Sequence, residues 1–278
     1  AAMVISVSRR GDIPRFQFEW FLERLAEGFV DVANPFNRNQ VRRVSLSPGH
    51  AQVLVFWTRD PSALLVYGKN LENLGYKWYV MTTLTGYPPP LEANPPDKTL
   101  VLKVLRELSG CFGAGRVLWR YDPVLLSSVT TRDFHLANFK SLSRALKGAV
   151  TKVIISGYDE YTRAKRRMER LESRGGFSLL PMRDGALCFL PEVRELLGEL
   201  SSIAREEGMS MQCCAEKEDL SSLGISGGAC IDRDFIRGEW GIELTGRANQ
   251  RRHCRCAPSI DIGSYGSCEA FCAYCYAR

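Results

Sequence analysis

Cysteines crowd the carboxyl-terminal end of this 278-residue chain. Five of its ten cysteines lie in the last 25 residues, in the stretch CRCAPSIDIGSYGSCEAFCAYCYAR. Disulfides, a structural zinc ion and an iron–sulfur cluster are the sites that use thiols at such density. Because reducing compartments seldom keep disulfides and the chain starts without a long apolar signal sequence, we expect a cytoplasmic protein with metal or redox chemistry.

The last three cysteines have a spacing that suits an open cluster. Cys268, Cys272 and Cys275 follow the pattern C-x3-C-x2-C, with Tyr274 directly before the last. Three thiolates on so short a loop can hold three irons of a [4Fe–4S] cube and leave the fourth iron open. Zinc is the alternative, although zinc sites favour C-x2-C pairs and usually close with four ligands. The spacing resembles the motif of radical S-adenosylmethionine (SAM) enzymes, whose open iron binds the amino and carboxylate groups of SAM.

The remaining thiols exceed what an open cube can use. We predict a second metal site, another [4Fe–4S] cluster or a zinc ion, formed by Cys214, Cys230, Cys254 and Cys256. Cys213 is an alternative to Cys214, because neighbouring residues of a strand point to opposite faces. Cys111 and Cys188 stand alone, so we expect them to be small buried side chains.

Short apolar runs alternate with segments of helical period along most of the chain. Strands are predicted at 3–8, 29–36, 51–58, 77–85, 116–123, 151–157 and within 209–216. Helices are predicted at 17–26, 61–74, 98–108, 131–146, 160–172 and 191–208. Gly28 follows the first helix as a C-cap residue should.

This alternation predicts an α/β fold with a parallel sheet. Seven such strands suit a closed or nearly closed TIM-like (β/α) barrel, and a doubly wound open sheet is the runner-up. After about residue 216 the rhythm weakens and cysteines take over. We therefore expect a barrel body at 3–216 and, at 217–278, a cysteine-rich metal-binding extension packed on the barrel.

Polar motifs follow several predicted strands, where barrel enzymes place their catalytic groups. The candidate catalytic residues are Arg9, Arg10, Asp12, Asn34, Asn37, Arg120, Asp122 and Glu216. The alternative for the pairs Arg120–Asp122 and Arg10–Asp12 is an ion pair that pins a loop. Convergence of the whole set on one rim favours a site over separate ion pairs.

The charge of the chain permits an anionic partner without requiring one. The formal net charge is +6 and the isoelectric point is about 8.8. Arg247, Arg251, Arg252 and Arg255 make the segment before the last cysteines basic. An alternative function is therefore a non-catalytic zinc or iron–sulfur protein that binds nucleic acid through residues 247–255, although a solvated charged face explains this run equally well. No apolar run approaches the ~20 residues that span a membrane.

Several motifs together resemble an uncharacterised bacterial and archaeal family. The segments SVSRRGDIP, NPFN, VFWTRDP, WRYDP, CAEKEDL, ACID and the closing cysteine stretch resemble domain of unknown function 1848 (DUF1848), from about Ser6 to Ala277. That family is noted chiefly for a C-terminal cysteine cluster similar to the N-terminal cluster of radical SAM proteins. The resemblance implies a cluster role for Cys268, Cys272 and Cys275, and it implies no substrate.

The position of the cysteine loop departs from the radical SAM pattern. In those enzymes the loop follows the first barrel strand, whereas here it comes near the end of the chain. A circularly permuted barrel would reconcile the two, with residues 259–264 as the first strand beside residues 3–8. The glycine pairs at 174–176 and 226–228 are too generic to indicate a SAM site.

The sequence thus predicts a radical SAM-like iron–sulfur enzyme that uses SAM and an electron donor such as ferredoxin or flavodoxin. A cluster enzyme that does not use SAM is a further alternative.

Overall fold

A computed structural model describes residues 3–185, 188–246, 248 and 253–278. The strands are β1 (Met3–Val7), β2 (Phe29–Asn34), β3 (Asn37–Ser45), β4 (Ala51–Thr58), β5 (Lys77–Thr83), β6 (Val117–Val124), β7 (Lys152–Gly157), β8 (Arg183–Asp184), β9 (Cys188–Phe189), β10 (Ser210–Cys214), β11 (Ile225–Gly228) and β12 (Ile260–Asp261). The helices are α1 (Ile13–Phe16), α2 (Phe18–Glu27), α3 (Ser62–Asn73), α4 (Lys98–Phe112), α5 (Arg132–Leu146), α6 (Thr162–Ser173), α7 (Pro191–Glu206) and α8 (Arg233–Trp240). Short 3₁₀ turns precede β6 and β11.

Eight strands form one parallel sheet in the order β11-β10-β7-β6-β5-β4-β1-β12. The predicted α/β fold is therefore confirmed. Within the described ranges β11 and β12 are the two edges of this sheet and do not pair with each other, so the predicted closed barrel is not formed there. If the order is followed from β12, the other seven strands come in chain order.

The segment after residue 216 contributes strands to the same sheet as the rest of the chain. The segment 217–278 supplies both edge strands, because it contains β11 and β12. The boundary at residue 216 stays a prediction.

Local sequence explains where several helices begin and end. Asp97 caps α4 by accepting a hydrogen bond of 2.8 Å from the N–H of Leu100, and Thr131 caps α5 in the same way. Gly28 ends α2 in the left-handed conformation with φ of 79°, as predicted. None of the helices within the described residues is both long and apolar enough to span a bilayer.

The sheet is covered on both faces, and alternation along each strand divides its side chains between them. In β4, Leu54 and Phe56 join the larger core, which also contains the buried sides of the helices. Val53 and Val55 point to the opposite, inner face. There the chain after β11 folds back against the strands, burying Ile236 of α8. The inner face at the carboxyl ends of the strands carries the polar residues described next.

Strands β2 and β3 form a separate antiparallel hairpin. The N–H of Leu46 donates to the carbonyl of Gly28 across its base, at 2.8 Å. The next strand, β4, begins beside Met3 at the start of β1. The hairpin therefore leaves the sheet at the edge where the parallel strands begin, and the predicted strand at 29–36 is not part of the main sheet.

Candidate metal centres at the carboxyl edge of the sheet

Cys268, Cys272 and Cys275, here called the outer cysteines, lie on the loop that follows β12. Cys272 is buried and the other two are partly buried. Burial raises the pKa of all three thiols, and that of Cys275 reaches about 11 because the thiols of Cys272 and Cys268 are also close. The C-x3-C-x2-C spacing therefore places the three thiols close enough for their charges to interact.

Asp261 fixes the start of this loop. Its carboxylate accepts hydrogen bonds of 2.7 Å from the hydroxyls of Ser6 and Ser8 and from the N–H of Arg9. The N–H of Gly263 adds a fourth at 3.0 Å. Because β1 and the residues after it supply three of these donors, the end of β12 is held in register with β1.

A buried polar network supports Cys272. Nη2 of Arg59 lies 2.6 Å from Oε1 of Glu92 and 2.7 Å from the hydroxyl of Tyr274. The hydroxyls of Thr85 and Tyr274 also donate to Glu92, and Tyr274 contacts Cys272. Burial opposes the charge of Arg59, but Cys272, Tyr274 and Glu92 raise its pKa above the usual range. The polar groups of this network form hydrogen bonds with one another, as a buried ion pair requires.

The proline-rich loop at 87–97 forms one wall of the outer cysteine loop. The N–H of Ala273 donates to the carbonyl of Leu91 at 2.9 Å, and the N–H of Asn94 donates to the carbonyl of Ala270 at 3.2 Å. The side chain of Asn94 also donates to the carbonyl of Glu269. The loop that the sequence marks as a rigid insertion thus holds the backbone between the outer cysteines.

Cys268 and Cys275 have their own supports. The backbone N–H groups of Ala270 and Asp12 lower the pKa of the Cys268 thiol against the larger, opposite effect of burial, and the N–H of Ala277 lies 3.4 Å from the sulfur of Cys275. Arg167 of α6 donates to the carbonyls of Ala273, at 3.0 Å, and of Cys275. N–H groups directed at sulfur are typical of thiolates that ligate iron.

Cys214, Cys230, Cys254 and Cys256, here called the inner cysteines, meet on the inner face of the sheet. The sulfurs of Cys230 and Cys214 lie 3.2 Å apart. Cys256 makes hydrogen bonds with the thiols of Cys230 and Cys254, which lower its pKa, and Cys230 lowers the pKa of Cys214 in the same way. The four residues predicted as one group are therefore neighbours. Cys213 points into the core on the helical side, where burial raises the pKa of its thiol to about 11.

Arg120 contacts both the inner cysteines and polar residues at the carboxyl edge of the sheet. Its Nη1 lies 3.5 Å from the sulfur of Cys230, and its Nη2 forms an ion pair with Asp122. Ser156 donates a hydrogen bond to the same carboxylate. The guanidinium groups of Arg120 and Arg9 lie 4.9 Å and 5.5 Å from the ring of Trp57. Asp122 raises the pKa of Arg120 against the opposing effect of burial, so Arg120 stays charged beside the thiols.

A sequence profile for one protein family matches residues 4–277, nearly the whole chain. The chain belongs to the family described as domain of unknown function DUF1848. This finding confirms the resemblance seen in the motifs. A comparison with curated proteins found no match.

In this DUF1848 chain the contacts between thiols identify two groups of candidate ligands. Within the described residues, no three side chains of His, Cys, Asp or Glu already surround a point where a metal ion would fit. Metal and cluster binding therefore stays a prediction for both groups.

The residues predicted to be catalytic have different positions and contacts in the structure. Arg9, Arg120 and Asp122 lie together around Trp57 and Cys230. Arg120 and Asp122 also form the ion pair of the alternative interpretation. Glu216, whose pKa burial raises, accepts hydrogen bonds from the N–H of Gly157 and from Arg183.

Arg10 and Asp12 do not form the ion pair of the alternative interpretation. Arg10 stacks on Tyr265. Asp12 instead caps α1 and accepts hydrogen bonds from Thr58, at 2.6 Å, and from the N–H of Arg59, at 2.8 Å. Burial raises the pKa of Asp12 to about 6. Asp12 thus joins the start of α1 to the end of β4.

The prediction of a rim position for Asn34 and Asn37 is wrong. Both lie at the exposed turn of the β2–β3 hairpin, whose base is at the opposite edge of the sheet. Their side chains stabilise this turn: Asn34 accepts from the N–H of Phe36 at 2.9 Å, and Asn37 accepts from the N–H of Asn39 at 3.2 Å. Asn34 ends β2 and Asn37 begins β3, and these two strands pair with each other outside the main sheet.

Three residues of the basic segment, Arg247, Arg251 and Arg252, lie outside the described residues. Arg255 is described, and its Nη1 is 3.4 Å from the carbonyl of Gly227. The expectation that Cys111 and Cys188 are buried is wrong, because both are exposed.

Sequence reasoning missed Arg59, Glu92 and Arg167. Arg59 stands in the motif VFWTRDP directly after β4, so its place after a buried strand was an available signal. Glu92 was also detectable as an acidic residue between the two proline runs of a proline-rich loop. Arg167 lies on a helix with many basic residues, where nothing in the sequence distinguishes it.

Proposed function

We propose that the chain is a radical SAM-like iron–sulfur enzyme whose outer cysteines bind a [4Fe–4S] cluster. One observation carries this proposal: the outer cysteine loop directly follows β12, which pairs in parallel with β1 at one edge of the sheet. Read from β12, the sheet is a run of parallel strands with the cysteine loop after its first member. This is the order of a circularly permuted radical SAM-type barrel.

The residues around the outer cysteines suit such a cluster. Three thiols on one loop leave the fourth iron of a cube for another ligand, and backbone N–H groups point at the sulfurs of Cys268 and Cys275. Cys272 is buried beside the charged Arg59, which compensates part of the negative charge of a thiolate cluster. The donor set is therefore appropriate in number, in chemistry and in charge.

A cluster held by Cys268, Cys272 and Cys275 would supply one electron for the reductive cleavage of SAM, and its open iron would leave room for SAM to bind. The protein's own residues hold the reacting groups and exclude water. Arg9 and Arg120 flank Trp57 at the carboxyl edge of the sheet, and Asp122 neutralises Arg120. We propose that these four residues form the wall that the substrate contacts.

The test begins with iron and sulfide analysis of anaerobically prepared protein. The variant Cys268→Ala/Cys272→Ala/Cys275→Ala should lose about four irons per chain. The matched control is Cys111→Ala/Cys188→Ala, which removes two exposed thiols outside both groups. Unchanged iron in the triple variant would contradict cluster binding by these residues.

The second measurement addresses SAM. Reduced, iron-loaded protein should convert SAM to 5′-deoxyadenosine and methionine, and adding SAM should change the paramagnetic resonance spectrum of the cluster. If iron is bound but neither effect exceeds that of the triple variant, the protein is a cluster protein that does not use SAM. The other alternative, a non-catalytic protein that binds nucleic acid, predicts salt-dependent binding without SAM cleavage.

A further inference from the structure

The inner cysteines lie on or next to strands at the two ends of the strand order. Cys214 ends β10, and Cys230 follows the edge strand β11 by two residues. Cys254 and Cys256 stand just before β12, which is the opposite edge. The N–H of Ala257 donates to the carbonyl of Ile231 at 2.9 Å, so the two chain segments already touch. A group that binds these thiols would connect strands that no hydrogen-bond ladder joins.

The spacing of the inner sulfurs favours a single ion over a cube. Four thiolates at about 2.3 Å around a zinc ion lie about 3.8 Å from one another in a tetrahedron. In a [4Fe–4S] cube each thiolate binds a different iron, so the cysteine sulfurs are held well beyond contact. The sulfurs of Cys230 and Cys214 are 3.2 Å apart, and Cys256 contacts Cys230 and Cys254. An opening of about half an ångström would bring the sulfurs of Cys230 and Cys214 to the zinc spacing.

Charged and polar neighbours compensate the charge of a four-thiolate zinc site. Such a site carries two net negative charges, which a buried position must offset. Nη1 of Arg120 lies 3.5 Å from the sulfur of Cys230, and the N–H of Ile231 lies 3.4 Å from the sulfur of Cys256. Asp122 orients Arg120 through their ion pair. Partners of this kind hold ligands in place and maintain metal affinity.

We propose that Cys214, Cys230, Cys254 and Cys256 bind one structural zinc ion, which ties the β11 edge of the sheet to the β12 edge, and that Arg120 positions Cys230 for it. The zinc is separate from the outer cluster and takes no part in electron transfer. Its role is mechanical, because it closes the gap between the edges on the inner face. The proposal does not depend on whether the outer cysteines bind iron.

The test uses the full chain with the outer cysteines replaced by alanine, so that any metal that remains belongs to the inner site. We expect one zinc per chain and no acid-labile sulfide by elemental and sulfide analysis. Adding Cys230→Ser should remove the zinc and lower the melting temperature, whereas adding Cys188→Ser, at an exposed cysteine, should change neither. Iron with sulfide in the triple variant would overturn the zinc assignment, and absence of both metals would overturn the site.

If Cys230→Ser does not fold, cobalt substitution provides a second test of the zinc site. In the triple variant, exchange of zinc for Co²⁺ should give the visible bands of a tetrahedral ion and the strong thiolate-to-cobalt absorption of four sulfur ligands. A spectrum of an octahedral ion would contradict the proposal.

For Arg120, competition with a chelator should show that the affinity of the protein for zinc is about 10- to 100-fold weaker in Arg120→Gln than in the parent. Arg43→Gln, in the exposed hairpin, is the control, and equal affinity in both variants would refute the role of Arg120.

Discussion

The hydroxyl of Ser6 donates a hydrogen bond of 2.7 Å to the carboxylate of Asp261, although 255 residues separate them in the chain. This bond joins the first strand of the sequence to the last. Ser8 and the N–H of Arg9 donate to the same carboxylate. Since the outer cysteine loop begins only seven residues after Asp261, this side chain helps to fix the position of the candidate cluster relative to β1.

Replacing Asp261 with alanine should therefore destabilise the protein and loosen the outer cysteine loop. Four buried or partly buried donors would lose their acceptor, at about 1 to 3 kcal/mol for each one left unsatisfied. We expect the free energy of unfolding in urea to fall by at least about 3 kcal/mol and the iron content to fall with it. Asp31→Ala in the exposed hairpin is the control and should match the parent protein. Full iron content and stability in Asp261→Ala would show that β12 is held by other contacts.

The pair Arg59–Glu92 gives a second prediction. Glu92→Ala leaves the guanidinium of Arg59 buried without its carboxylate, so the free energy of unfolding should fall by about 3 to 5 kcal/mol. The double variant Arg59→Met/Glu92→Met removes both charges and should be more stable than Glu92→Ala. Glu27→Ala, which breaks the exposed pair with Arg24, should cost less than about 1 kcal/mol. If the double variant is the less stable of the two, the network contributes more than charge compensation.

Most of the strand and helix pattern was readable from the sequence because burial imposes a period on it. The strand predicted at 51–58 is β4 with the same bounds, and its alternate residues face the two cores. The strand at 29–36 was also detected but was assigned to the wrong sheet. Its partner β3 carries three arginines in the stretch NRNQVRRVS, so it lacks the apolar pattern that marks a strand. The apolar pattern of the sequence therefore does not indicate that β2 pairs with β3.

The candidate site was predictable only in part. Counting thiols and their spacing identified both cysteine groups, because metal ligation requires specific residue types in small numbers. The supports of these groups were not predictable in the same way. The ion pair of Arg59 with Glu92 connects residues after different strands, and a single long-range contact produces no periodic pattern. Which of Cys213 and Cys214 faces the inner side depended on the register of β10.

The hairpin position of Asn34 and Asn37 leads to a prediction about activity. Asn34→Ala and Asn37→Ala should leave iron content and SAM cleavage unchanged, because these residues stabilise the exposed turn of a hairpin that is not part of the main sheet. Arg120→Gln, by contrast, should lower turnover, since Arg120 lies at the edge that we propose as the substrate wall. The comparison is made at equal iron loading. A loss of turnover in Asn34→Ala without a loss of iron would return this residue to the site.

The burial of His135 leads to a prediction of how the stability of the protein depends on pH. It is buried, with Nδ1 2.8 Å from the hydroxyl of Tyr121 and Nε2 2.9 Å from the carbonyl of Leu125. Burial lowers the pKa of His135 to about 4 from an ordinary value near 6.5. The unfolded chain therefore binds a proton at this residue between about pH 6.5 and 4, while the folded chain does not. The stability due to neutral His135 is complete above about pH 6.5 and is lost as the pH falls towards 4.

Between pH 7 and pH 5 this histidine should contribute a loss of about 2 kcal/mol in the free energy of unfolding. The variant His135→Gln keeps a donor and an acceptor at the same place but cannot titrate in this range. Urea unfolding at both pH values should therefore show a smaller loss in the variant than in the parent, by about that amount. Carboxylates such as Asp12 titrate equally in both proteins, so their effect cancels in the difference. An identical pH dependence of the two proteins would mean that His135 is protonated in the folded state, and Nδ1 would then have to donate to Tyr121.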